Sequence, residues 1–94
     1  QTAQAHYRVG LLQGALGENS AAKAAYRAAI ERFEALIEDE PNNAEYHQQL
    51  AESYDSMSRT VMTWDDAKTW KERSIAAYTT AIQLSPQNAT LYYR

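Results

Sequence analysis

The chain has 94 residues, a net charge of −3 at neutral pH, two prolines and no cysteine. Its length suits one domain with a modest core, and its mild negative charge argues against a nucleic-acid surface, which is normally basic. Disulfides and thiolate metal sites are excluded, and no stretch is long and apolar enough to cross a bilayer. We expect a cytoplasmic section of a longer protein that binds neither nucleic acid nor membranes.

Apolar and small residues recur at helical spacing along the chain. From Ser20 to Glu40 they alternate steps of three and four, which places them on one face of an α-helix. Two later stripes follow the same rule. The pattern predicts helices near 2–16, 19–39, 43–60 and 64–84, and a fifth from 88. The three stripes are Ala22, Tyr26, Ala29, Phe33 and Leu36 or Ile37; His47, Leu50, Tyr54, Met57 and Val61; and Trp70, Ser74, Tyr78 and Ala81.

Polar residues at the predicted helix ends match capping patterns. Asn42 followed by Glu45, and Thr63 followed by Asp66, have the spacing at which a side chain satisfies free N–H groups of a helix start. Gly17 has the residue type favoured just after a helix end. These residues predict the starts of the third and fourth helices and the end of the first.

Two internal echoes run at different spacings. The segment AAYRAAI at 24–30 returns as AAYTTAI at 76–82, a spacing of 52 residues. The segment AQAHYR at 3–8 returns as AEYHQQ at 44–49 and as ATLYYR at 89–94, at spacings of 41 and 45 residues. The chain is therefore a repeat of helical pairs whose units differ in length.

These motifs resemble the tetratricopeptide repeat family, whose unit is a helix-turn-helix of about 34 residues. The resemblance implies an all-α fold of tandem antiparallel helical hairpins in a right-handed superhelix. It divides a single domain, 1–94, into repeats at 3–43 and 44–88 and the start of a third at 89–94. The matching positions are His6, Val9, Gly10, Gln13, Ala22, Tyr26, Ala29 and Pro41 in the first unit, and His47, Leu50, Ala51, Tyr54, Ser74, Tyr78, Ala81 and Pro86 in the second.

The two units exceed the family length by about seven and eleven residues, which are close to two and three whole turns of helix. The apolar stripes then stay in phase across the added length. We expect the surplus between Ala29 and Pro41 in the first unit and between Tyr54 and Ala76 in the second. Units of this length resemble the longer variant of the family.

The resemblance also implies a binding surface on the concave face, where the first helix of each unit lies. The implied function is protein–protein interaction without catalysis. In this sequence the groove would have an acidic middle and Tyr-Arg pairs at both ends, which favours an extended or helical segment carrying Lys or Arg near its centre. The residues carried over are Gln4, Tyr7, Arg8 and Leu11 from the first unit, Glu45, Gln48, Gln49, Glu52 and Asp55 from the second, and Thr90, Tyr93 and Arg94 from the third.

Some family members capture a C-terminal carboxylate with Lys, Asn and Arg side chains. The corresponding positions here are occupied by Tyr7, Leu11, Gln49, Thr90 and Arg94. Only Arg94 has the matching residue type, so this sequence does not predict that kind of capture.

A second candidate contact lies at the tip of the second hairpin, at Val61, Met62 and Trp64. One reading is that these apolar side chains fold back on their own hairpin or on a following repeat. The other is that they contact a partner. The alternative to partner recognition is a structural spacer or a self-association module, with weak association through the exposed ends of the repeats.

Catalytic and metal-binding motifs are missing from the sequence. His6 and His47 are the only imidazoles, and both occupy the repeat position where the family places a large apolar ring. Packing in the hairpin is therefore the favoured role, because a metal site would need further ligands beside them. We predict no cofactor, no metal and no enzymatic activity.

Overall fold

The computed structural model describes residues 2–85 and contains four α-helices. The helices are α1 (Ala3–Ala15), α2 (Asn19–Asp39), α3 (Ala44–Ser58) and α4 (Trp64–Leu84). No strand occurs within residues 2–85, so the all-α prediction is confirmed, and each helix begins and ends within two residues of its predicted bounds. The predicted fifth helix from 88 lies outside the described residues.

Three helices begin at a side-chain cap. The hydroxyl of Thr2 accepts from the Ala5 N–H at 3.1 Å, and that of Thr63 accepts from the Asp66 N–H at 3.2 Å, as predicted for Thr63. The prediction for Asn42 was wrong by one residue, because the Asn43 amide oxygen caps α3 by accepting from the Tyr46 N–H at 3.3 Å. A cap must sit immediately before the first helical residue to reach that N–H.

The end of α1 depends on Gly17. The Gly17 N–H donates to Gly14 O at 3.1 Å, and the Glu18 N–H donates to Gln13 O at 2.9 Å, which is the Schellman pairing. Gly17 has φ of +81°, a backbone conformation that is sterically unfavourable for any residue with a Cβ. The tight turn that results sends α2 back along α1 as an antiparallel partner.

Helix α3 is the centre of the core. Its Tyr54 ring lies 5.8 Å from the Trp70 ring of α4, and its hydroxyl donates to Glu34 of α2 at 3.1 Å. On the same helix, the Ala51 carbonyl accepts from the buried Ser74 hydroxyl at 2.9 Å. The predicted stripes are confirmed at their central positions, where Ala22, Tyr26, Ala29, Phe33, Leu50, Tyr54, Met57, Ser74 and Ala81 are all buried.

Val61 does not continue the α3 stripe. The helix ends at Ser58, and Val61 lies half-buried in the turn before α4. The Thr60 hydroxyl donates to the Met57 carbonyl at 2.8 Å, which satisfies a group that the helix end leaves free. The sequence placed Val61 on the stripe because it follows Met57 by four residues, which is also the spacing of a residue in a continuing helix. Spacing alone does not show that the helix ends before Val61.

Helix α1 approaches α2 closely at Gly10. A Cβ at this position would lie 2.5 Å from Cε1 of Tyr26, whose ring is only 3% exposed. The Tyr7 ring lies 5.8 Å from the Tyr26 ring on the same side. Gly10 therefore supplies the space that the Tyr26 ring occupies.

The surplus length lies in the second helix of each hairpin. Helices α2 and α4 have 21 residues each, whereas α1 has 13 and α3 has 15. Tyr26 comes seven residues after Asn19, the first residue of α2, whereas Tyr78 comes fourteen residues after Trp64, the first residue of α4. The shared motif thus stands about two turns further along α4, which accounts for seven of the eleven residues by which the spacings 52 and 41 differ. The other four arise because the start of α4 follows that of α3 by 20 residues, whereas the start of α2 follows that of α1 by 16.

Gln13 gives a prediction about stability. Its Oε1 is buried without a hydrogen-bond partner among residues 2–85, and an unsatisfied buried acceptor costs about 1–3 kcal/mol. We expect Gln13→Met, which has a similar shape, to raise the free energy of unfolding by about 1 kcal/mol in urea titrations. Gln49→Met is the control and should bring no gain, because the Gln49 amide already donates to Glu45 at 3.2 Å.

Candidate functional site

Helices α1 and α3 meet on one face of the domain. The Tyr7 hydroxyl lies 3.1 Å from the Ser56 hydroxyl and joins the two helices directly. Of the predicted groove residues on α1, Tyr7 is half-buried, and Gln4, Arg8 and Leu11 are exposed. The structure therefore brings Tyr7 to the C-terminal half of α3.

A cleft of about 240 Å³ opens beside this contact, and we call it the α1–α3 cleft. Leu11 and Tyr26 line one side, and Ser56 and Arg59 line the other. The predicted groove included Leu11 but missed Ser56 and Arg59. Arg59 could have been found from its spacing, because it follows Asp55 by four residues, as ion pairs on a helix do.

Asp55 is held by two cations of the same chain. Its Oδ2 lies 2.8 Å from Nη2 of Arg59, and its Oδ1 lies 2.6 Å from Nζ of Lys71 on α4. Both carboxylate oxygens are therefore occupied. The predicted groove residue Asp55 contributes less negative charge to this face than the sequence alone suggests.

The other two carboxylates of the predicted groove differ in their surroundings. Glu45 is exposed in the first turn of α3 and accepts a hydrogen bond from the Gln49 amide at 3.2 Å. Glu52 is half-buried, and the Gln48 amide reaches it only at 3.5 Å, which is long for an N–H donor. Burial raises the pKa of Glu52 above its ordinary value of 4.5, and the Gln48 contact opposes that shift.

Tyrosine hydroxyls from three helices are close to this face. Burial is the main cause that raises the pKa of Tyr7 on α1 and of Tyr26 on α2, and contact with the Ser56 hydroxyl lowers both. Burial, followed by the charges of Glu52 and Asp55, raises the pKa of Tyr78 on α4 to about 12. Tyr78 was predicted only as a core residue, and the structure places it within electrostatic range of the groove carboxylates.

The third part of the predicted groove is not covered by the structure. Thr90, Tyr93 and Arg94 lie outside residues 2–85. The same holds for Pro86, which was expected to close the second unit.

The predicted secondary contact at the second hairpin tip is exposed. Met62 and Trp64 are 91% and 73% exposed, whereas Val61 is half-buried. The Lys68 ammonium lies 5.3 Å from the Trp64 ring, within cation–π range. Within residues 2–85, Met62 and Trp64 are therefore left uncovered by their own hairpin.

A second exposed apolar stripe runs along α1 and was not predicted. It consists of Val9, Leu12 and Leu16, and Leu12 is 62% exposed. Steps of three and four residues set these side chains on one face of the helix. The signal was present in the segment VGLLQGALG, where the run of Gly and Leu concealed the spacing.

Both histidines are half-buried, and His47 has an identified partner. Its Nε2 lies 2.9 Å from the Pro41 carbonyl, which joins α3 to the turn after α2. Across residues 2–85 no group of three or more His, Asp or Glu side chains is arranged to hold a metal ion. None of the four helices in this part of the chain combines the length and hydrophobicity that a bilayer crossing requires.

Comparison with known families identifies the type of repeat. Residues 3–35 match the family model described as Tetratricopeptide repeat, and they cover α1 and most of α2. The chain therefore carries a repeat of the tetratricopeptide type, as its motifs predicted. No curated protein and no solved structure matches the chain. Repeats of this type are generally protein–protein interaction modules and are typically non-catalytic.

Proposed function

We propose that this chain is a non-catalytic protein–protein interaction module of a larger protein, and that it holds a segment of its partner against the face formed by α1 and α3. The α1–α3 cleft carries the proposal. It is a concave surface lined by Leu11 of the predicted groove, and α1, which supplies this residue, lies in the matched repeat. Peptide segments bind such helical faces in extended or helical form.

The full groove in this proposal spans the repeats at 3–43 and 44–88 and the start of a third at 89–94. Exposed or half-buried polar side chains would fix the orientation of the partner segment, and Tyr7 and Leu11 would supply apolar contact. The residues assigned to the groove are Gln4, Tyr7, Arg8, Leu11, Glu45, Gln48, Gln49, Glu52, Asp55, Thr90, Tyr93 and Arg94.

A second candidate function is self-association. It is supported by the exposed apolar stripe of Val9, Leu12 and Leu16 on α1 and by Met62 and Trp64 at the hairpin tip. Apolar clusters of this kind are unusual on a surface that contacts only water. In this alternative the long hairpins act as a structural spacer, and copies of the chain pair through these surfaces.

Two adjacent leucines of α1 separate the two functions. Leu11 lines the α1–α3 cleft, whereas Leu12 belongs to the exposed stripe. We would select binders from random linear peptides displayed on phage and measure their affinity by calorimetry. We expect Leu11→Glu to weaken binding by at least about tenfold, because a charge would enter the apolar wall of the cleft. Leu12→Glu should leave peptide binding unchanged.

Light scattering of the same two variants completes the test. If the chain acts by self-association, the wild type forms dimers, Leu12→Glu dissociates them and Leu11→Glu does not. Peptide binding that is equally strong in wild type and in Leu11→Glu would contradict the proposed groove.

A further inference from the structure

Glu52 is the one carboxylate of the predicted α3 groove residues that is both half-buried and without a cationic partner among residues 2–85. The two oxygens of Asp55 are occupied by Arg59 and Lys71 at 2.8 and 2.6 Å. Glu45 is exposed, and it accepts a hydrogen bond from Gln49. Only Glu52 combines partial burial with a single weak contact, at 3.5 Å to the Gln48 amide.

The charge of Glu52 acts on tyrosine hydroxyls of two other helices. It raises the pKa of Tyr7 on α1 and of Tyr78 on α4, and both of these tyrosines are half-buried. The remaining charged groups that act on the same tyrosines are Asp55 and Arg59, which are paired with each other. A carboxylate in such a place has lost part of its hydration without gaining a counter-ion.

An ammonium or guanidinium group is the ligand that would compensate this loss. It would form a charge-assisted hydrogen bond with the carboxylate. A neutral or acidic side chain would leave the carboxylate uncompensated or would repel it. The difference in interaction energy between a cationic and a neutral ligand is larger at Glu52 than at a fully exposed carboxylate, because water screens the charge of a half-buried group less.

We propose that Glu52 is the specificity-determining residue of the groove and that it binds a Lys or Arg side chain of the partner segment. The inference rests on the proposed function, because it assigns a residue within the same groove. It assigns the recognition of the basic side chain to Glu52 and excludes Asp55 and Glu45 from that role.

The test uses pools of random linear peptides with capped ends and one central position fixed as Arg, Lys, citrulline or Glu. Citrulline has the shape of arginine without its charge. We expect wild type to bind the Arg and Lys pools at least about tenfold more tightly than the citrulline pool. Glu52→Gln should bind the Arg, Lys and citrulline pools alike. Glu38→Gln, at an exposed glutamate of α2 outside the groove, should keep the preference of wild type.

The outcomes separate this inference from the proposed function. If no pool binds to wild type, the proposed function fails and the inference fails with it. If all four pools bind wild type equally, or if the preference for Arg and Lys survives in Glu52→Gln, the groove stands and the inference is overturned. Circular dichroism of both variants checks that each is folded.

A second readout follows the carboxylate itself by NMR titration of the wild type. In the free protein the pKa of Glu52 should lie above 4.5, because burial disfavours the charged form. It should fall when the Arg pool is added, because a cation favours the charged form, and it should not fall with the citrulline pool. A pKa below 4.5 in the free protein would mean that the chain already supplies a cation, and this result would overturn the inference.

Discussion

Replacing Tyr54 by alanine is expected to lower the free energy of unfolding by about 3–5 kcal/mol. The Tyr54 side chain is 8% exposed, packs against the Trp70 ring and lies at the point where α2, α3 and α4 meet. Truncation would leave a cavity at the centre of the domain, where surrounding helices cannot collapse to fill it. Urea unfolding followed by circular dichroism measures the change. A loss below about 1 kcal/mol would contradict the central position of α3 in the core.

Tyr54→Phe is the matched control because it keeps the ring and removes only the hydroxyl bond to Glu34. We expect a loss of about 1 kcal/mol at neutral pH. Burial and the Glu34 carboxylate raise the pKa of Tyr54 from 10.0 to about 12 in the folded protein. Above pH 10 the unfolded chain therefore loses this proton first, so wild type should lose stability between pH 10 and 12 relative to Tyr54→Phe.

The same substitution at two glycines of α1 is expected to have opposite effects. Gly10→Ala places a Cβ 2.5 Å from the Tyr26 ring, and such overpacking costs about 1–3 kcal/mol. The gain in helix propensity of about 1 kcal/mol offsets this only in part. We expect a net loss of about 1–2 kcal/mol in the free energy of unfolding.

Gly14→Ala is the control for that prediction, because the nearest atoms to its Cβ lie 3.8 and 3.9 Å away, at ordinary contact distance. Only the gain in helix propensity remains, so the variant should be more stable by about 0.5–1 kcal/mol. Thermal and urea unfolding of both variants give the comparison. If Gly10→Ala is as stable as Gly14→Ala, α1 does not pack on Tyr26 as the structure has it.

Helix type and burial could be predicted because their signals are local. The stripe of Ala22, Tyr26, Ala29 and Phe33 follows the period of the helix and is buried. Its predicted end, at Leu36 or Ile37, is half-buried. The Thr63 cap was equally readable, since hydroxyl and N–H lie three residues apart. The cap of α3 was misplaced because Asn42 and Asn43 are adjacent and chemically identical, so one position along the chain decides which reaches the Tyr46 N–H.

The site was less predictable because its contacts join distant residues. Tyr7 and Ser56 are 49 residues apart, and Lys71 is 16 residues from Asp55. The sequence could place Asp55 on a polar stripe, but it could not indicate that a lysine from the next helix neutralises it. Periodicity predicts on which face of its own helix a residue lies. It does not predict which other helix packs against that face.

The tyrosine motif lies at different distances from the starts of α2 and α4. The length of a hairpin can therefore change independently of the packing around this motif. Seven residues are about two turns and about 10 Å of helix. A helix can therefore lengthen by this amount while its buried face keeps nearly the same orientation. In α4 the additional residues come before Tyr78, so Trp64, at the start of the helix, lies further from the motif. Insertion or deletion of such a segment would move the exposed apolar tip of the hairpin outward or inward. The buried face of the helix beside the motif would stay unchanged.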